Sequence, residues 1–430
     1  MFGLLGEKLG HSYSKLIHEK LGYSYDLIER APEELAAFLL AGEFDGLNVT
    51  IPYKKTVMEY CDQVSDLAKR IGAVNTIYRD GGRLIGTNTD YEGLRYALSR
   101  ANISLTGKKV LILGGTGGAG SMASILAADE GAGEILIATR GDKGTVLPSS
   151  FSNIRQKMTG EPSPCHLSYD ELPEDVEIII NATPVGTYPE IYKSPVELAG
   201  FECLEGVVDL IYNPLRTELL MQADERGINY TNGLPMLVRQ ATEAAGYFRP
   251  AGRDEYLGRT EEILSGLESS TENIVLIGMP GSGKTSIGKR LARKLGRKFR
   301  DTDRTVRELT GKSPADMIKE SGEQAFRDIE SKAVRMLGAE HSMVIATGGG
   351  TPLRLENIKA LKQNGRIFFL DRDPDKLSTF NRPLSQRGGV YKLYDQRYEI
   401  YEAACDERIE NNGDDFTPAY ENILKRYQTE

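Results

Sequence analysis

The sequence predicts an α/β chain of more than one domain, built on parallel sheets. Two glycine-rich turns carry that expectation. Each follows a short apolar run of the kind found in buried parallel strands and leads into a helical pattern: Lys108 to Gly120 (KKVLILGGTGGAG), and Ile274 to Thr285 (IVLIGMPGSGKT). Length is the third observation, since 430 residues exceed what one ordinary core holds.

The elements follow in chain order. Before residue 92 an Ala/Leu-rich helix is predicted at Glu33 to Leu40 and a strand near Phe44 to Ile51. After Lys108 come a strand, the glycine turn, a small-residue helix at Ser121 to Asp129, and a second strand at Glu134 to Arg140, which make a βαβ unit. Later strands, Val176 to Ile180 and Gly206 to Leu210, end in the polar turns Asn181-Ala-Thr-Pro and Ile211-Tyr-Asn-Pro. From Pro250 to Glu272 the chain is polar and charged, with partial helical spacing at Tyr256, Ile263 and Leu267, and the main boundary is placed there. Behind it come a strand at 274–277, a helix marked by Ile287, Leu291 and Leu295, a strand ending near Arg300, and a buried strand at Val344 to Ala346. The resulting division is 1–91 completed by 230–255, then 92–229, a linker at 256–272, and 273–430.

Composition narrows the function classes. Hydrophobic residues at 40% and charged residues at 27% are ordinary globular values, and a net charge of −9 argues against general nucleic-acid or anionic-membrane binding. No apolar run approaches a membrane span and the first residues lack a secretory pattern, so a cytoplasmic protein is expected. Cys61, Cys165, Cys203 and Cys405 are scattered and the four histidines (11, 18, 166, 341) have no ligand spacing, which predicts reduced thiols and no structural zinc.

Gly278 to Thr285 satisfies G-x-x-x-x-G-K-[ST] in full. Its glycines let backbone N–H groups crowd around phosphates, Lys284 brings a mobile positive charge, and the Thr285 hydroxyl suits Mg²⁺ at a helix N-terminus. Gly281, Ser282, Gly283, Lys284, Thr285 and Ser286 are therefore expected to hold ATP or a similar triphosphate. Upstream, Gly115, Gly117 and Gly120 between strand and helix give the dinucleotide fingerprint of a Rossmann domain. The next strand ends in Thr139-Arg140 rather than an acid. A guanidinium there suits a 2′-phosphate and favours NADP, with nearby Asp142 and a plain strand-capping role for Arg140 as the competing readings.

A set of ordered blocks resembles shikimate dehydrogenase from residue 1 to about 250. They are H-S-x-S at 11–14, N-V-T-x-P-x-K at 48–54, G-A-V-N-T at 72–76, N-T-D-x-x-G at 88–93, N-A-T-P at 181–184, D-L-x-Y-x-P at 209–214 and M-L-V-x-Q-A at 236–241. The resemblance implies that Ser12 and Ser14 hold a substrate carboxylate, that Thr50, Asn75, Tyr212 and Gln240 line the ring, and that Lys54 and Asp90 form the catalytic pair. It also implies a cofactor side made of Gly114, Gly115, Gly117, Gly118, Ala119, Thr139, Arg140, Thr183 and Gly233. Arg239 departs from the family block and is expected at the rim of the site.

Residues 273 to about 425 resemble shikimate kinase, through the phosphate loop, Asp301-Thr-Asp303, Gly322 to Glu330 (GEQAFRDIE), Val344 to Gly350 (VIATGGG), N-R-P-L at 381–384 and R-x-x-x-Y at 397–401. Read without the family, one of Asp301 and Asp303 holds Mg²⁺ through water and the other takes the acceptor hydroxyl. The resemblance assigns Thr285 and Asp301 to the metal, Asp303 to ring hydroxyls, Arg327 and Arg397 to the carboxylate, Gly349 and Gly350 to backbone contact with substrate, and Arg382 to a lid over the phosphates. The approach to that lid is short, and Ser378 or Thr379 stands where an arginine would stack on adenine.

The two resemblances meet at one molecule, since the alcohol made by the first activity is the acceptor of the second. A bifunctional enzyme is expected, taking 3-dehydroshikimate, shikimate, ATP, NADP and Mg²⁺, with no nucleic-acid or membrane partner and the oligomeric state left open. A reductase for quinate or another hydroxy acid joined to a kinase for an acceptor such as gluconate is the alternative within the same class. A metabolite sensor using a dead reductase module is the alternative from another class.

Overall fold

The computed structural model describes residues 1–10, 12–115, 117–139, 165–377 and 389–427. Two compact units emerge, one made of Met1–Asn213 with Thr217–Ser265, the other of Pro214–Arg216 with Gly266–Glu430.

The first unit contains two six-stranded sheets. One is mixed: β1 (Phe2–Gly6), β2 (Asp26–Glu29), β3 (Gly46–Val49), β4 (Gln63–Val64), β5 (Thr76–Asp80) and β6 (Arg83–Thr87) lie in the order β2-β1-β3-β5-β6-β4. β1 runs parallel to β2 and β3, while β5 is antiparallel to β3 and β6. Gly81-Gly82, both at positive φ, close the β5–β6 hairpin with the two-residue turn that matches strand twist. The expected Ala/Leu helix spans Pro32–Ala41, with proline in its first turn, and buries Leu35 and Leu39 four residues apart.

The other sheet is wholly parallel: β7 (Lys109–Leu113), β8 (Glu134–Ala138), β9 (Cys165–Leu167), β10 (Ile178–Asn181), β11 (Gly206–Asp209) and β12 (Asn229–Thr231), in the order β12-β11-β10-β7-β8-β9. The order reverses at β7, which is where an open parallel sheet forms its ligand crevice. The helix after β7 starts at Gly118, three residues before the expected start, so fingerprint glycines form its first turn.

The polar stretch expected to be a linker is helical, as Arg253–Gly258 and Thr260–Thr271, and the units divide between Ser265 and Gly266. Tyr256, Ile263, Leu264 and Leu267 are buried at helical spacing, so an apolar stripe overrides the polar composition.

The second unit contains one parallel sheet: β13 (Asn273–Ile277), β14 (Lys298–Asp301), β15 (Met343–Ala346), β16 (Gly365–Asp371) and β17 (Glu407–Glu410), ordered β14-β15-β13-β16-β17. β13 is buried at all five positions and again stands where the order reverses. The helix Lys284–Leu295 follows it and buries Ile287, Leu291 and Ala292 on one face. Among the described residues no helix is long and apolar enough to cross a membrane.

Candidate active sites

In the first unit the turn after β7 divides its glycines by task. A Cβ on Gly115 would lie 2.2 Å from Ile137 Cγ2, and one on Gly120 would lie 2.4 Å from the Gly115 Cα, so both are required for close packing. Gly117 differs, because a Cβ there meets only the Gly114 carbonyl at 4.0 Å and its backbone faces open space. That leaves room for a pyrophosphate at the N-terminus of the helix Gly118–Asp129. Ala119 is half-buried in the same first turn, and Thr139 donates its N–H to the Leu167 carbonyl just beyond β8.

Lys54 and Asp90 come together beside this turn. Lys54 Nζ donates to Asp90 Oδ2 at 2.6 Å, and Lys54 Cδ lies 4.0 Å from where a Cβ on Gly118 would be. The Lys54 carbonyl accepts from the Val74 N–H, which fixes its backbone. Asp90 opens the helix Asp90–Arg100, where the helix dipole favours a carboxylate.

The polar blocks flanking this pair form one buried network. Asn75 Oδ1 accepts from the Thr89 N–H at 2.7 Å and from the Thr76 hydroxyl, while Asn75 Nδ2 donates to Thr89 Oγ1 at 3.1 Å. The Thr89 hydroxyl also reaches Gln240 Oε1 at 3.5 Å, and Asn88 donates to the Ala73 carbonyl. Asn75 and Gln240 thus brace the loop that carries Asp90. Asn48 extends the network, accepting from the Tyr25 hydroxyl and donating to Thr76. Ser14 N donates to Ser12 Oγ at the start of the helix Ser14–Lys20, and Thr50 packs with Leu9 around Gly6 at the end of β1. The Tyr212 ring, from the chain after β11, lies 5.6 Å from Tyr13, so it joins the serine segment. Burial and the neighbouring phenol raise the Tyr13 hydroxyl above its usual range.

In the second unit Gly278, Gly281 and Gly283 all adopt positive φ, and the turn they shape leads into Lys284. Lys284 Nζ is folded back onto the Gly278 and Met279 carbonyls at 2.8 and 2.9 Å. Ser282 Oγ is buried without a hydrogen-bond partner, a donor that a phosphate oxygen would satisfy. Thr285 Oγ1 donates to Asp301 Oδ2 at 3.3 Å, while Asp301 Oδ1 caps the helix Thr302–Thr310 by accepting from Asp303 and Arg304 N–H groups. Ser286 lies exposed in the first turn behind the loop.

Asp303 is exposed by surface area, yet its carboxyl is crowded by protein: a Cβ on Gly348 would lie 2.8 Å from Asp303 Oδ1. Burial, with the Asp301 and Glu330 carboxylates, pushes its carboxyl up to about 6 against the pull of Lys284 and Arg327. Arg327 is held by Glu330 at 2.7 Å and Glu323 at 3.2 Å. Arg397 Nη1 and the Tyr401 hydroxyl both donate to the Gly349 carbonyl, at 3.0 and 2.5 Å. A Cβ on Gly350 would lie 2.4 Å from the Arg327 guanidinium, and one on Gly349 would lie 2.8 Å from Pro280. Both glycines therefore make room for neighbouring groups, in addition to any backbone contact with substrate.

One expectation is corrected. Arg239 does not stand at the rim of the site: it pairs with Glu243 at 2.6 Å, lies over the Tyr96 ring, and lines a separate cavity of about 520 Å³ with Glu92, Arg95 and Leu105. Gly233 is glycine for packing reasons, because a Cβ there would lie 2.1 Å from the Leu210 carbonyl oxygen. His11, Arg140, Arg382, Ser378, Thr379 and Gly388 lie outside the described residues. Sequence reasoning missed Thr89, Glu330, Asn181 and Asp209 as working residues. Each sat inside a quoted block, and only the fold shows what its side chain touches.

Comparison with known proteins covers both units. Residues 4–77 match the family model described as shikimate dehydrogenase substrate binding domain, and residues 280–428 match that described as shikimate kinase. A shikimate dehydrogenase (NADP(+)) of Caldanaerobacter subterraneus subsp. tengcongensis is 38% identical over 253 residues, which cover 57% of this chain and 89% of that one. The crystal structure of shikimate dehydrogenase 1 from Peptoclostridium difficile is similar with a TM-score of 0.52 at 36% identity, covering 61% of this chain and 98% of its own. A chorismate mutase/shikimate 5-dehydrogenase fusion protein from Clostridium acetobutylicum gives a TM-score of 0.53 at 36% identity, covering 62% of this chain and 96% of its own.

Proposed function

The chain belongs to the shikimate dehydrogenase family over its N-terminal part and carries a shikimate kinase domain behind it, and from that premise we propose two successive reactions on one polypeptide. They are NADPH-dependent reduction of 3-dehydroshikimate to shikimate, then ATP-dependent phosphorylation of shikimate to shikimate 3-phosphate, on the route to chorismate and the aromatic amino acids. What carries the reading is the 2.6 Å Lys54–Asp90 pair beside a dinucleotide turn, in a chain that also holds a full phosphate loop whose Pro280 packs on Gly349, the residue that Arg397 grips. The proposed division of labour is 1–91 with 230–255 for the acid, 92–229 for the dinucleotide, 256–272 as the joint, and 273–430 for phosphoryl transfer.

When bound, NADPH supplies the hydride, and Mg²⁺ screens the phosphates of ATP. The residues present fit both groups. Gly117 leaves open backbone for the pyrophosphate; the unpartnered Ser282 hydroxyl and the Thr285–Asp301 pair suit phosphate and an ion that takes few protein ligands. In the first site Ser12 and Ser14 bind the carboxylate, and Lys54 gives a proton to the carbonyl oxygen as negative charge develops there. Asp90 holds that ammonium in place. Thr50, Asn75, Tyr212 and Gln240 fix the ring, directly or through the loop they brace. In the second site Arg327 and Arg397 grip the carboxylate, Asp303 takes the hydroxyl proton, and Lys284 follows the phosphates, joined in this reading by Arg382. The reading needs no nucleic-acid or membrane partner and suits a cytosolic protein of net charge −9.

The decisive experiment is a spectrophotometric assay of NADPH oxidation with 3-dehydroshikimate, followed by ATP and quantitation of the phosphorylated product. Turnover with quinate or gluconate in place of these acids, and none with them, would overturn the assignment.

A further inference from the structure

Asp209 is a fully buried acid that the chemistry above does not use. It ends β11, and the end of its neighbour β10 carries Asn181. Asp209 Oδ1 accepts from Asn181 Nδ2 at 3.0 Å and from the Ile211 N–H at 3.1 Å; Oδ2 accepts from the Thr217 hydroxyl at 2.7 Å. A backbone N–H can only donate, so Oδ1 is an acceptor and compels the amide of Asn181 to turn its NH₂ end inward. Asn181 Oδ1 must then face outward, where it accepts from Thr183 N at 3.0 Å and Thr183 Oγ1 at 2.7 Å. Thr183 in turn presses on the glycine turn, its Cγ2 2.7 Å from where a Cβ on Gly114 would be.

We propose that Asp209 is a positioning residue for the dinucleotide: by orienting Asn181 it sets Thr183 against Gly114 and so shapes the crevice at three adjacent strand ends, β11, β10 and β7. This rests on the reductase reading of the first unit. Leucine at 209 keeps a similar volume and removes both acceptors, so the amide of Asn181 loses what holds its single orientation.

The test is steady-state kinetics of the full chain with NADPH and the keto acid varied separately. Asp209→Leu is expected to raise KM for NADPH about tenfold, with kcat and the keto-acid KM changed by less than about threefold. Thr217→Val removes the bond to Oδ2 and also the cap that the same hydroxyl gives the Leu220 N–H, so it shares the KM defect with a lower melting temperature, while Thr217→Ser keeps both bonds and the wild-type KM. This pair serves as the test should Asp209→Leu not fold, with circular dichroism as the control. An unchanged NADPH KM in folded Asp209→Leu, or in Thr217→Val where the former does not fold, overturns the positioning role alone. A wild-type chain that fails to bind NADPH, by quenching of its fluorescence, overturns the role and the reductase reading together.

Discussion

Asp303, among crowding carboxylates, has to be ionised to take a proton, yet its surroundings push it up to about 6. Below that pH, kinase kcat/KM is therefore expected to fall about tenfold per unit, and a profile flat down to pH 5 would remove Asp303 from the proton path. Two other buried groups link folding to pH with opposite signs. His18 is stacked on Tyr25, and burial lowers it from 6.5 to about 3 against a bond from Asn48 that raises it. Folded protein holds it neutral, so its contribution is present above pH 6.5 and lost as pH falls toward 3. Asp209 goes the other way. Burial lifts it from 3.8 to about 7, opposed by Thr217, Ile211 and Asn181, so its contribution is present below pH 3.8 and lost as pH rises through 7. Denaturant titrations across this range should show His18→Phe flattening the rising limb and Asp209→Asn the falling one. Lys54, Asp90, Arg327 and Arg397 were legible in the sequence because their blocks are long and ordered. Asp209 and Asn181 were not, since a side chain's role as an inward brace depends on which strand ends become neighbours.

At the scale of elements, the dinucleotide turn separates folding from binding. Gly115→Ala places a methyl 2.2 Å from Ile137 and should cost about 1–3 kcal/mol of stability. Gly117→Ala meets open space, so its melting temperature should hold while KM for NADPH rises. Equal melting shifts in both variants would contradict this division. The strands and their helices were readable from continuous apolar runs and 3.6-residue spacing, and the glycine turns were readable as turns. The helix start at Gly118 was hidden because glycine is a poor helix former, although Gly120 in the same first turn packs tightly on Gly115. Thr260–Thr271 was legible in part, through the spacing of Ile263 and Leu267, while its charges masked how long the helix is.

For the whole molecule, two reactions on one chain predict separable losses. Lys54→Ala should lower reductase kcat by about 10²–10⁴ and leave phosphorylation intact, while Lys284→Ala should do the converse. Simultaneous loss of both activities from either change, in folded protein, would argue for a single site. Both glycine turns spring from strands hydrogen-bonded along both edges, β7 between β10 and β8, and β13 between β15 and β16. Such strands surrender their amide protons to deuterium last, so each nucleotide cradle hangs from backbone that stays closed while rims and termini breathe. Partial unfolding under stress should consequently open the edge strands β9, β12, β14 and β17 while both turns still stand.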